Sequence, residues 1–126
     1  MARLIAFDLD GTLVDSRRDL ADSANQLITR LGGAPLPEEA IGRMVGEGAK
    51  VLVDRALRAA GLGPADRNAL DRFLEIYDGR LLNHTRAYDA IADALEAARR
   101  HARLAVLTNK PTAATERLLA GLDLRP

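Results

Sequence analysis

Hydrophobic residues along this chain follow two different periods, and the change of period divides it into three stretches. Leu4-Ile5-Ala6-Phe7 is a continuous apolar run, too short for a helix and bounded by polar residues. That is the profile of a strand buried on both faces. From residue 16 the spacing turns helical. Ser16 stands as a helix N-cap, Leu20, Ala24, Leu27, Ile28 and Leu31 share one face, and Gly32-Gly33 ends the run. Pro35 and Pro37 mark a turn ahead of a short helix over 38–45. Ala49, Leu52, Val53, Ala56, Leu57 and Ala60 then form an apolar stripe that stops at Gly61, and a segment opened by Pro64 carries Leu70, Phe73, Leu74, Tyr77 and Leu81 on one side. No strand-like run interrupts 16–82, so this stretch predicts about four helices inserted behind the first strand. The α/β pattern then returns. Ile91, Ala94, Leu95 and Ala98 line one face of a helix over 90–100, with Arg99, Arg100 and His101 favouring its carboxyl end. Leu104-Ala105-Val106-Leu107 is a second strand, and Pro111 suits the first turn of the helix after it.

The polar residues at the ends of the two strands carry the candidate chemistry. Alternation in an extended chain points Asp8 and Asp10 the same way. Two anions side by side repel unless a cation or an anchored proton relieves them. Asp-Leu-Asp-Gly-Thr at a strand's carboxyl end therefore reads as a metal-assisted site at the edge of a parallel sheet. A calcium loop is one alternative, but it wants an acid or amide at position five and glycine at six, where this chain has Thr12 and Leu13. A solvated Asp/Gly turn is the other. After the second strand, Thr108, Asn109 and Lys110 offer a hydroxyl, an amide and backbone N–H groups ahead of a helix, a turn that favours an anion. It could equally be an ordinary strand-to-helix turn.

Gly46-Glu47-Gly48-Ala49-Lys50 is a candidate for substrate choice. Its two glycines permit close backbone approach, and the helix start offers N–H donors to a carboxylate. A plain interhelical turn would look the same. His84 and His101 are not at metal-ligand spacing and are expected at the surface or a hinge.

Composition narrows the classes of function. Among 126 residues, eighteen basic and eighteen acidic side chains leave no net charge to draw the chain to nucleic acid or a membrane surface. With no cysteine, thiolate catalysis, disulfides and zinc–thiolate sites are excluded. The first apolar run stops at Asp8, too early for a signal peptide, and no run approaches the roughly 20 residues of a membrane span. A soluble, cytoplasmic protein is expected.

The string DLDGTLVDS at 8–16 resembles the nucleophile motif of the haloacid dehalogenase superfamily, and the rest of the chain is similar to its phosphoglycolate phosphatase branch. The resemblance implies part of a Rossmann-like core, two parallel strands being present, with an inserted α-helical cap. Core would be 1–15 and 83–126, cap 16–82. It implies Asp8 as nucleophile, Asp10 as general acid/base, and Gly11 and Thr12 as supporting, phosphate-binding residues. Magnesium would bind the Asp8 carboxylate and the Asp10 backbone carbonyl. LTNKP at 107–111 is similar to the second motif, which gives Thr108 the transferred phosphoryl group with Asn109 beside it. Gly46, Glu47, Gly48 and Lys50 match a cap turn that faces the active site and selects substrate.

In that family the catalytic lysine lies on a third motif and further magnesium aspartates on a fourth, both well downstream of the second motif. Lys110 matches a lysine inside the second motif, so the third-motif role is not carried onto it; a helix-start or solvent role is expected, with direct contact to phosphate as the lesser alternative. The chain therefore reads as the amino-terminal portion of a phosphatase, with an exposed core edge that favours self-association or a homodimer. Where the family often has Tyr-Pro-Gly before the core helix, this chain has Tyr88-Asp89-Ala90. The expected activity is magnesium-dependent hydrolysis of a phosphomonoester through an aspartyl-phosphate, on 2-phosphoglycolate or a similar small phosphorylated acid. Two alternatives stand beside it. One is a catalytically incompetent fragment whose cap mediates association. The other is a sugar-phosphate phosphatase or mutase relative, which the 46–50 turn disfavours.

Overall fold

The computed structural model describes residues 3–124; Met1, Ala2, Arg125 and Pro126, which the expected 1–15 and 83–126 segments include, lie outside the described residues. In chain order the elements begin with β1 (Leu4–Phe7), β2 (Val14–Asp15), α1 (Arg17–Arg30), α2 (Glu38–Gly42) and α3 (Ala49–Ala59). They continue with α4 (Arg67–Arg80), β3 (Arg86–Ala87), α5 (Ile91–Arg99), β4 (Arg103–Val106) and α6 (Thr112–Gly121). β1 and β4 pair in parallel, with Phe7 opposite Val106. The ladder extends one step further, where Leu107 N–H donates to the Phe7 carbonyl at 2.8 Å. The strands therefore deliver Asp8, directly after β1, and Thr108, one residue beyond Leu107, to the same edge. The architecture is the expected α/β one.

The strand at 4–7 is not buried on both faces. Leu4 is 69% and Ile5 38% exposed, and Leu107, read as the last residue of the second strand, is 76% exposed and follows β4. The physical reason is pairing. Among the described residues β1 has a strand on one side only, so its other edge and part of its surface meet solvent. The two-residue ribbon β2–β3 was invisible to periodicity, since two residues define no alternation. It pairs Val14 with Ala87 and Asp15 with Arg86, joining the points where the chain enters and leaves the helical stretch.

Helices α1 to α4 enclose the larger part of the core. Leu20, Ala24, Leu27 and Ile28 are buried as their spacing required, against Leu52, Val53, Ala56 and Leu57 of α3 and Phe73 and Tyr77 of α4. Leu31, placed on the same stripe, lies past the helix end and is 38% exposed. Asn25 clamps the proline turn by donating to the Leu36 carbonyl and accepting from its N–H, both at 2.8 Å. α4 starts at Arg67 because Asp66 caps it, its carboxylate accepting from Ala69 N–H at 2.7 Å. α2 ends at Gly42, short of the expected Val45, and the chain continues as turns into Gly46. No helix among the described residues is long and apolar enough to cross a membrane.

The return crossing is fastened at Asp19. This carboxylate, 1% exposed, accepts from His84 N–H (2.9 and 3.1 Å to its two oxygens), Thr85 N–H (2.8 Å) and the Thr85 hydroxyl (2.7 Å). Just beyond, Ala90 precedes α5 at φ 64° and ψ 3°. That is left-handed backbone, which costs a residue bearing a Cβ about 1–2 kcal/mol. The departure from Tyr-Pro-Gly thus falls where a glycine would relieve strain. Ala90 is exposed, so Ala90→Gly is expected to stabilise the chain by about 1 kcal/mol. A denaturant titration checks this; an unchanged or lowered midpoint would show that the strain is not there to be relieved.

Candidate active site

At the end of β1 the chain makes a tight turn around one acceptor. The Leu9 carbonyl receives N–H donors from Thr12, Leu13 and Val14 at 2.9–3.2 Å, and Gly11, at φ 81°, takes the left-handed position this turn needs. Leu9 is fully buried, whereas Asp8 and Asp10 on either side of it both line one cavity of about 380 Å³. Thr108, Asn109 and Lys110, which follow β4, line the same cavity. Its other walls come from the helical layer, chiefly Leu52, Phe73, Leu74, Tyr77 and Leu81, with the backbone of Gly46 and Gly48.

The two aspartates differ in environment. Asp8 is exposed, and its Oδ1 accepts from Leu9 N–H at 2.8 Å. It makes no ion pair among the described residues. Asp10 is half-buried and fully engaged: the Ser16 hydroxyl donates to Oδ1, and Lys110 Nζ lies 3.4 Å from Oδ2. Ser16 therefore does not cap α1 with its side chain, as its position had suggested; its hydroxyl is turned to Asp10 instead. Both carboxylates offer only oxygen donors. Such a set suits a hard divalent ion that keeps most of its water, and among the described residues no cation competes for Asp8.

Lys110 overturns the expected helix-start or solvent role. Its side chain is only 4% exposed, its ammonium donates to the Tyr77 hydroxyl oxygen at 2.6 Å, and it sits 4.4 Å from the centre of the Tyr77 ring. Burial pushes the Lys110 ammonium below its ordinary range, while the Asp10 carboxylate pulls it back up. Burial, with the charges of Asp10 and Asp19, drives the Tyr77 phenol far up, so it stays protonated. Tyr77 in turn stacks on the fully buried Phe73, with ring centres 5.8 Å apart. In sequence Tyr77 was one apolar position in a helical stripe, and nothing in the spacing distinguishes it from core.

The remaining candidates divide. Asn109 donates to the Gly46 carbonyl at 2.9 Å, and Gly48, at φ 93°, passes close to the Asn109 backbone. The 46–48 turn and the 108–110 turn thus meet at the cavity mouth. Glu47 and Lys50 do not line it: Glu47 pairs with Arg55 at 2.7 Å on the surface, and Lys50 is exposed. Gly11 and Thr12 lie outside the lining as well, and their N–H groups are spent inside the turn, on Val14 and Leu9. His101 is exposed. His84 comes within 4.8 Å of Asp19 and Asp22 in ligand-atom distance, a grouping that sequence separation hid. The Asp19 carboxylate there is already taken up by backbone and hydroxyl donors.

The family model for haloacid dehalogenase-like hydrolase matches residues 2–126. The phosphoglycolate phosphatase of Rhodospirillum rubrum is 44% identical over 132 residues, covering 98% of this chain and 55% of the relative. That of Nitrosospira multiformis is 39% identical, covering 97% and 56%. A crystal structure of a predicted phosphoglycolate phosphatase from Haemophilus somnus superposes with a TM-score of 0.85 at 32% identity, covering 98% of this chain and 58% of that one. The chain spans about half the length of the curated relatives it matches.

Proposed function

Because the chain belongs to the haloacid dehalogenase-like hydrolases, we propose that its cavity is the phosphoryl-transfer site of a magnesium-dependent phosphomonoesterase acting on 2-phosphoglycolate or a similar small phosphorylated acid. The observation that carries this reading is the convergence of Asp8, Asp10 and Thr108 from two neighbouring parallel strand ends onto one cavity closed by helices. In this reading residues 1–15 and 83–126 are core and 16–82 a cap, and the enzyme is cytoplasmic.

Asp8, exposed and without an ion pair among the described residues, attacks phosphorus with one carboxylate oxygen. The bond from phosphorus to the ester oxygen breaks, and Asp10 delivers a proton to the departing alkoxide, leaving an aspartyl-phosphate on Asp8. Water then attacks phosphorus, Asp10 takes its proton, and inorganic phosphate leaves with the Asp8 carboxylate restored. Thr108 and Asn109 hold the phosphoryl oxygens. Asp8 through its carboxylate and Asp10 through its backbone carbonyl would hold magnesium, which when bound offsets the negative charge gathered where phosphate meets carboxylate. The relatives named phosphoglycolate phosphatase support the substrate class.

Asp10→Asn tests the division of labour. With a good leaving group such as p-nitrophenol the phospho-enzyme is expected to form, but its breakdown should slow by at least about 10²-fold, the scale of a lost general base. Rapid-quench measurement of the adduct on Asp8 reads this directly. Equal breakdown in Asp10→Asn and the parent would remove Asp10 from the acid/base role.

A further inference from the structure

We propose that Lys110 receives the acidic end of the substrate, a small carboxylate-bearing phosphomonoester, and that Tyr77 holds its ammonium in place. The inference rests on the phosphatase reading above and goes to how that site selects its substrate.

Lys110 is the single Lys or Arg among the described residues lining the cavity. Lys50, the cation that sequence placed in the turn at 46–50, is exposed and outside the lining, and Arg55 nearby is engaged with Glu47. Arg117 is occupied by Asp78 at the rim. The rest of the helical wall is apolar, apart from Glu75, Asp78 and the Tyr77 hydroxyl. A substrate carboxylate entering this space meets one positive group.

An ammonium has three donors. Tyr77 takes one at 2.6 Å and Asp10 faces another at 3.4 Å, while the third has no partner among the described residues. Nearly complete burial strips the ammonium of water, so an anion reaching it is held more strongly than at the surface. Its location also separates the two ends of the ligand. Asp8 and Thr108 stand at the strand ends, where the phosphoryl group belongs. The Lys110 ammonium is bonded to Tyr77 of α4, at the junction of strand ends and helical wall. That is the side on which the leaving group lies once phosphorus faces Asp8. Tyr77 is a positioning residue: its oxygen and its ring keep the ammonium aimed, and it touches neither phosphorus nor the ester.

The chain has two lysines, Lys50 and Lys110, which makes the test self-controlled. Labelling the lysine side chains with 13C yields two resonances, the exposed Lys50 serving as reference. Glycolate, carrying the carboxylate without the phosphoryl group, is expected to shift the Lys110 resonance saturably and leave Lys50 in place. Ethylene glycol, the neutral analogue, is expected to move neither. Tyr77→Phe should weaken glycolate binding about tenfold, the scale of one hydrogen bond to a charged group. An acylating reagent should modify Lys50 well before Lys110. Equal reactivity of the two lysines overturns the inference at its first step. So does a Lys110 resonance that answers to inorganic phosphate but not to glycolate. Capture of beryllium trifluoride at Asp8 with no glycolate response overturns this inference alone and leaves the phosphatase reading standing; a glycolate response without capture at Asp8 overturns the phosphatase reading and, with it, the assignment of the bound carboxylate to a phosphomonoester substrate.

Discussion

In a form of the protein as long as the curated relatives, Asp8→Asn is expected, on the proposed mechanism, to lower magnesium-dependent phosphatase turnover by about 10⁴-fold or more, the scale on which enzymes lose activity with their nucleophile, and to abolish capture of beryllium trifluoride. A carboxylate oxygen carries the charge and the lone pair that attack phosphorus; a neutral amide carries neither in useful form. The substitution is nearly isosteric, and its structural cost should be small. Asp8 is exposed, and its hydrogen bond from Leu9 N–H at 2.8 Å can be accepted by the amide oxygen as well. The expected result is therefore a protein of unchanged thermal midpoint that has lost its covalent chemistry. Fluorine NMR of the beryllium adduct, beside a turnover assay, measures both. Undiminished magnesium-dependent turnover in Asp8→Asn would sink the aspartyl-phosphate mechanism.

The largest effect on stability is expected at a residue outside the cavity lining. Asp19→Ala should destabilise the chain by about 3 kcal/mol, because it strands the donors that the carboxylate now satisfies. These are His84 N–H, Thr85 N–H and the Thr85 hydroxyl, with Thr85 fully buried. An unsatisfied buried donor costs about 1–3 kcal/mol, so even partial rehydration at His84 leaves a large deficit. Asp19→Asn should recover little. Its amide keeps one acceptor but turns an N–H₂ toward backbone N–H groups that also donate. For a domain of this size the alanine variant should melt roughly 10 °C lower, with faster hydrogen exchange at Thr85. A loss below about 0.5 kcal/mol, the range of an ordinary surface substitution, would show that the return crossing is held by something else. Asp19 lies on α1 and the segment it grips returns the chain toward α5 and β4, so loosening it should also relax the approach of Thr108 and Lys110 to Asp8 and Asp10.

Some of this was legible in the amino-acid order because it depends on near neighbours alone. The helical spacing of Leu20, Ala24, Leu27 and Ile28 states which side of α1 must be covered, and that side is buried. The alternation of Asp8, Leu9 and Asp10 states that the acids share a direction which Leu9 opposes, and Leu9 is buried while both acids line the cavity. Apolar runs and turn residues likewise mark 4–7 and 104–107 as strands of an α/β fold, although β4 ends at Val106 and Leu107 follows it. Other outcomes turn on which element arrives opposite, and spacing along one segment carries no word of that. Leu4 and Ile5 read as buried, yet pairing on a single side leaves them exposed. Ser16 has an N-cap's position, but Asp10 is close enough to claim its hydroxyl. Lys110 reads as a solvated lysine until the ring and hydroxyl of Tyr77, thirty-three residues away in the chain, come to rest against it. Asp19 and His84 are sixty-five apart, and only the crossing of the chain back past α1 brings the backbone N–H to the acid. Local periodicity fixes the direction in which a side chain leaves its own backbone; the partner it meets is decided by packing among segments distant in sequence.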